Sequence, residues 1–327
     1  MSLRRAAEIL LLAAISLVLF LGVSEVFLRI YLRNNIFYDV EMSRYANTLK
    51  VDSSNPKVGH HHKPSSEAVL MGVRIQTNSE GFRDDEYPVA KGVRRRVMFL
   101  GDSLTLGWGV AKEDTFEHLL ERDLDQRSPT EVINLGVGNY NTTQELHLFL
   151  DKGLEYDPDL VVLFYFINDA EPVPQRSRFP GLGRLRVATF YWSRTRELRS
   201  RLSGGGPSFQ EYYSALYADD AAGWVRSREA LATLARTSRE HGFDFRVVLL
   251  PELHGLDPYL FSAEHALVVG ALRELGVPAL DLAPHFEGEK DPLALWVSLD
   301  DAHPNARAHR LIANYSLEFI ASAESRP

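Results

Sequence analysis

Apolar positions in this chain follow two rhythms in alternation. Short, nearly unbroken apolar runs of strand type occupy residues 97–100, 131–135, 159–166, 243–250 and 279–282. Between them, apolar residues return every three or four positions, the spacing of a one-sided helix. After Gly109, Asp114 is placed to cap such a helix through Phe116, Leu119, Leu120 and Leu124. Thr142 or Thr143 opens another through Leu146, Phe149 and Leu150, and residues 223–240, 263–275 and 306–322 read as helices too. Residues 159–166 read DLVVLFYF. A strand without a polar face must be covered on both sides, so this one belongs at the centre of a parallel sheet. Strand and helix in alternation predict a three-layer α/β/α fold with a central parallel five-stranded sheet and right-handed connections.

Two stretches break the rhythm. Residues 9–28 are apolar except for Glu25, long enough to cross a hydrocarbon core as one transmembrane helix. Arg4 and Arg5 precede the span; Phe27, Tyr31 and Arg33 suit its far interface. No small-x-small cleavage site follows, which favours a retained anchor over a cleaved signal peptide. Basic residues flank both ends equally, so the expected orientation, with a short inside tail and the bulk of the chain outside the cytoplasmic membrane, is a preference. The second irregular stretch, residues 170–222, carries Pro172, Pro174, Pro180, an arginine-rich segment and Gly204-Gly205-Gly206-Pro207. It reads as an insertion above the strand ends. Its arginines Arg176, Arg178, Arg184, Arg186, Arg194, Arg196, Arg199 and Arg201 read first as a solvated helical face, with anionic lipid or an acidic polymer as the alternative. The division expected is an anchor at 1–33, a linker and extension at 34–96, and a catalytic-type domain at 97–327.

Composition removes several classes. A net charge of −8 offers no basic field for a nucleic-acid backbone. With no cysteine, there are no disulfides, thiolate metal sites or thiol nucleophile. Gly59-His60-His61-His62 invites a metal reading, but adjacent histidines on a strand face opposite ways and no acidic partner sits at ligand spacing, so a solvated or substrate-rim loop is expected. Residues 72–76 alternate like a short strand, and Asn78-Ser79-Glu80-Gly81-Phe82-Arg83 reads as a turn. No nucleotide-binding loop or zinc-protease motif occurs, and no cofactor is implied.

The chemistry gathers at one edge of the expected sheet. The first run ends in Gly101-Asp102-Ser103, the second in Gly138-Asn139, the third in Asn168, and Asp300-Asp301-Ala302-His303-Pro304-Asn305 precedes the last helix. A serine needs a base to take its proton, and a histidine near an aspartate supplies one. Asp300 and His303, three apart on a short loop, can lie side by side, with Asp301 as the rival orienter. Pro304 suits the first turn of the following helix.

Read in order, these four blocks resemble the SGNH/GDSL hydrolases, over about residues 97–313. The resemblance implies a flavodoxin-like fold, nucleophile Ser103, base His303, orienter Asp300, and an oxyanion hole from the Ser103 and Asn139 backbone N–H groups and the Asn168 side chain. The second block departs from the commoner pattern by placing Asn139 where a glycine is usual, which leaves Gly138 or Asn139 as the donor. Asn139 is preferred, since asparagine tolerates positive φ. Asp102 and Asp169 are expected to be structural, His309 a helix-surface or partly buried residue, and His254 a residue of the pocket mouth. Related anchored hydrolases carry a segment like Asn78–Arg83 before the first core strand. The activity implied is hydrolysis of a carboxylic ester, on an acylated envelope glycan or a lipid, by an enzyme held at the inner membrane with its domain in the periplasm. An acyltransferase using the same triad and a silent glycan-binding scaffold are the alternatives. No nucleic-acid partner is expected, and nothing indicates an oligomeric state.

Overall fold

The computed structural model describes residues 3–32, 36–173, 185–202 and 206–323. It divides into two compact units, Met1–Thr48 with Arg176–Gly206, and Leu49–Gln175 with Pro207–Pro327. The first contains α1 (Leu3–Tyr31), α2 (Tyr38–Thr48) and, from the insertion, a helix at Arg186–Leu202. α1 is long and apolar enough to cross a membrane. Leu28, Leu32, Val40 and Val187 form the unit's small core, with Phe37 and Phe190 against it. Glu25 accepts from Val187 N at 2.8 Å and from Arg29 at 2.7 Å. Arg176, Arg178 and Arg184 lie outside the described residues.

The second unit opens with two hairpins. β1 (Lys50–Asp52) pairs with β2 (His60–His62), and β3 (Glu67–Leu70) with β4 (Val73–Gln76). Then come β5 (Arg95–Leu100), α3 (Ser103–Leu106), α4 (Phe116–Asp125), β6 (Thr130–Asn134), α5 (Thr142–Leu148) and β7 (Leu160–Tyr165). The insertion helix at 186–202 is α6, followed by α7 (Phe209–Leu216) and α8 (Ala222–His241). β8 (Asp244–Leu249), α9 (Ser262–Glu274), β9 (Ala279–Asp281), α10 (Ala283–Phe286), β10 (Trp296–Ser298), β11 (Asp301–Pro304) and α11 (Ala306–Ala321) complete the order.

Five strands form one parallel sheet in the order β6-β5-β7-β8-β9. Every residue of β7 is buried, as its uninterrupted apolar run requires. α4 packs with α11 and α5 with α8, supplying helical layers around the sheet. One helix start departs from expectation by one residue, while α5 opens at Thr142 as expected. Thr115, not Asp114, caps α4 through a bond from His118 N, and Asn141 caps α5 through one from Gln144 N. Chain order reverses between β5 and β7, and at such a switch point two adjacent loops diverge to leave a crevice at the strands' carboxyl ends.

Candidate active site

That crevice receives the loop after β5 and the loop after β7. Gly101 follows β5 because nothing larger fits: a Cβ there would lie 2.0 Å from Thr105 Oγ1. Asp102 caps α3 by accepting from Leu104 N at 2.8 Å, which makes Ser103 the first residue of a single helical turn. Ser103 Oγ lies 2.8 Å from His303 Nε2, and His303 Nδ1 lies 2.5 Å from Asp301 Oδ1. A carboxylate at Nδ1 keeps the proton on that nitrogen and leaves Nε2 to accept from the serine hydroxyl.

The carboxylate at His303 Nδ1 is Asp301, where spacing and resemblance had pointed to Asp300. The segment was expected to be a short loop, and it is the edge strand β11, paired with β10. Side chains two apart on a strand share a face, whereas those three apart do not. Asp301 and His303 share one, while Asp300 sits exposed in the hairpin turn and accepts from Ser298 Oγ at 2.6 Å. Asp301 Oδ1 also accepts from His303 N at 3.1 Å, and Oδ2 from Trp108 Nε1 at 3.0 Å. Burial alone would raise the Asp301 carboxyl, but the bonds from His303 and Trp108 and the nearby imidazole hold it below its ordinary value. Pro304 ends β11, and Asn305 caps α11 by accepting from Arg307 N and Ala308 N.

Asn168, after β7, donates through Nδ2 to Asp102 Oδ2 at 2.8 Å. One of that nitrogen's two N–H groups is thereby used, and the amide is fixed beside the serine loop. Burial raises the Asp102 carboxyl, against the bonds from Leu104 and Asn168. Asp169 is buried as well and accepts from Phe166 N at 2.7 Å, bonding nearby loop backbone. Asn139 adopts φ +65°, the left-handed turn its residue type tolerates. Asn139 and Asn168 line one cavity of about 280 Å³, together with Lys50, His60, Tyr140, Asn141, Glu171 and Pro172.

One other histidine differs from the sequence reading. His309 is fully buried, stacked on Phe116, with Nδ1 accepting from Phe116 N at 3.0 Å. Burial pushes it down to about 3, so the ring is neutral. His254 bonds Glu252 and packs edge-on against Trp296. Glu252 raises it.

Sequence reasoning missed the part played by the extension. Arg83 is buried and donates to Leu106 O (2.7 Å), Gly107 O (2.6 Å) and Val110 O (2.7 Å), clamping the chain just beyond the serine helix. The turn before it is built for that reach. Asn78 Oδ1 accepts from Glu80 N and Phe82 N, and Gly81, at φ +88°, passes so near β2 that a Cβ would lie 2.6 Å from His62 O. The histidine run is strand β2, and no cluster able to hold a metal occurs among the described residues. His62 is buried against Gly81 O, and His60 Nε2 lies 3.2 Å from Gly138 O. Burial pushes Lys50 down to about 7 and, with Lys50 beside it, His60 down to about 3.

Several solved structures are similar to this chain at low identity. The acetyl xylan esterase AlAXEase is 17% identical with a TM-score of 0.44, over 69% of this chain and 99% of its own. TesA is 15% identical (TM-score 0.45, 69% of this chain and 98% of its own). The lipase/acylhydrolase from Enterococcus faecalis is 18% identical (TM-score 0.44, 71% of this chain and 99% of its own). No curated protein matches the sequence. A family model does, over residues 99–311, from the end of the first core strand into the last helix and so through Ser103, Asn139, Asn168, Asp301 and His303: the chain belongs to the GDSL-like lipase/acylhydrolase family and is an ester-bond hydrolase.

Proposed function

We propose that the protein is a serine esterase acting on short-chain carboxylic esters, O-acetyl groups of an envelope glycan foremost, through an acyl-serine intermediate. The observation that carries the reading is the 2.8 Å approach of Ser103 Oγ to His303 Nε2, with Asp301 behind the imidazole. In the first step His303 takes the hydroxyl proton as Ser103 Oγ attacks the ester carbonyl. The oxyanion is met by the backbone N–H groups of Ser103 and Asn139 and by the second N–H of Asn168 Nδ2. Collapse expels the alcohol, protonated by His303, and leaves the acyl group on Ser103. Water, deprotonated by the same imidazole, releases the acid. Asp301 remains ionised throughout and stabilises the imidazolium.

Polarity of the adjoining cavity favours a small acyl group. Beside Tyr140 and Pro172 its walls are Lys50, His60, three asparagines and Glu171, with little aliphatic surface for a long alkyl tail. α1 serves as a retained anchor in this reading, with the hydrolase unit in the periplasm beside its substrate.

The test uses the full-length protein in detergent with p-nitrophenyl acetate and octanoate, wild type beside Ser103→Ala. Turnover that requires Ser103 and prefers acetate is expected. A folded wild type inactive on both esters overturns the esterase reading, and a preference for octanoate overturns the short-chain one. Adding a hydroxylated glycan separates hydrolysis from acyl transfer by where the acyl group ends up.

A further inference from the structure

The second donor of the oxyanion hole is gripped from outside the sheet. Lys50 Nζ, from the first strand of the extension, donates to Gly138 O at 2.6 Å and to Asn139 Oδ1 at 2.8 Å. His60 Nε2, on the paired strand, lies 3.2 Å from the same Gly138 O. Its ring is neutral, so this contact is a donated hydrogen bond. Tyr140 OH donates back to His60 O. The β1–β2 hairpin thus holds residues 138, 139 and 140 in succession.

Gly138 C=O and Asn139 N–H belong to one peptide unit. That unit is planar and trans, so its C=O and N–H point in opposite directions. Whatever holds the carbonyl oxygen aims the N–H. A donor on the oxygen, the more so in its charged form, also draws electron density out of the amide and makes the N–H a stronger donor, as in any polarised hydrogen-bond chain. Among the described residues Asn139 N–H makes no hydrogen bond, and Asn139 faces the cavity it shares with Asn168.

We propose that Lys50 is a positioning residue of the esterase, acting through the Gly138–Asn139 peptide to orient and polarise the Asn139 N–H toward the developing oxyanion. This rests on the serine-esterase reading above. The extension is then part of the catalytic apparatus: β1 contributes no reacting atom and controls the strength of one donor.

The experiment compares wild type, Lys50→Met, Lys50→Gln and Lys50→Arg in the full-length protein, with p-nitrophenyl acetate as substrate and phenylboronic acid as a tetrahedral-adduct probe. A single oxyanion donor is worth on the order of 100- to 1000-fold, and weakening one should cost about 10- to 100-fold in kcat. The expected pattern is that loss in Lys50→Met with KM within about twofold. Boronate affinity falls in parallel, acetate product inhibition is unchanged, and Lys50→Arg recovers most of kcat. Lys50→Gln, which keeps a donor without the charge, falls between and serves in place of Lys50→Met should that variant not fold. The proposal is overturned by a kcat within threefold of wild type in both Lys50→Met and Lys50→Gln, by a rise in KM at constant kcat, or by losses that track only the folded fraction. Absence of Ser103-dependent turnover in wild type overturns the parent reading, and this one with it.

Discussion

Asp301 and His303 stand two residues apart on one edge strand, and the aspartate's Oδ1 receives both the backbone N–H and the ring Nδ1–H of the histidine. One carboxylate oxygen thus sets the strand's local conformation and the imidazole's tautomer together. Asp301→Asn keeps the shape but places an amide where only an acceptor serves, and kcat is expected to fall by on the order of 1000- to 10000-fold. Asp300→Asn, in the exposed turn, should leave kcat within about twofold, since surface changes away from the site are nearly neutral. Steady-state rates on p-nitrophenyl acetate for the two variants decide which aspartate orients the base.

Asn168 is tied to Asp102 by one N–H, and in the proposed mechanism it offers the other to the oxyanion. Removing it in Asn168→Ala should lower kcat by about 100-fold with little change in KM, the mark of a group used in the transition state. The same variant leaves Asp102 with its Leu104 bond, so α3 should persist, and circular dichroism together with the thermal midpoint checks that it does.

The clamp made by Arg83 predicts a stability defect outside the family's matched residues. Arg83→Met removes a donor from three main-chain carbonyls, of which Gly107 O keeps Val110 N at 3.1 Å, and each buried acceptor left unpaired costs about 1–3 kcal/mol. A loss of roughly 3 kcal/mol or more in urea unfolding is expected. Because those carbonyls belong to the segment directly after the nucleophile helix, activity should fall before global unfolding begins. Coincident loss of activity and structure would show the clamp to be global rather than local.

Buried His309 gives a pH dependence with a definite sign. Its folded-state value is near 3, below the ordinary value of about 6.5 for the unfolded chain. The unfolded state therefore binds the extra proton first, and this residue's contribution is full above pH 6.5 and is lost as pH falls from there toward 3. The slope is at most about 1.4 kcal/mol per pH unit. His309→Gln cannot show that slope, so the stability difference between wild type and variant should shrink on acidification. Chemical unfolding at pH 7, 6, 5 and 4 measures it, and a difference constant with pH would be inconsistent with a buried neutral ring.

The core strands were legible because a parallel sheet covered on both faces leaves an almost continuous apolar run, and β7 is the extreme case. The pairing of Ser103 with His303 was legible because each lies beside residue types that acyl transfer needs, Ser103 just after such a strand. Asp301 was not. Its selection depends on whether residues 301–304 form a loop or a strand, and that choice is made by pairing with β10, a tertiary event. Arg83 and Lys50 were illegible for a different reason: both reach main-chain carbonyls, which every residue carries and no sequence pattern marks. His309 looked like a residue of helix surface or partial burial until Phe116 was found stacked upon it.

The separation between Ser103 and His303, 200 positions along the chain, also sets a schedule. Synthesis proceeds from the N-terminus, and domains fold as their parts emerge. The nucleophile, its cap and the segment held by Arg83 are all made while two thirds of the chain is still to come. Throughout that interval the serine has no base and is an ordinary alcohol. The last hairpin, β10 and β11, brings the imidazole and its carboxylate together, so under the proposed mechanism ester cleavage becomes possible only in a late event. Every incomplete chain would then lack the base on which the reactivity of Ser103 depends.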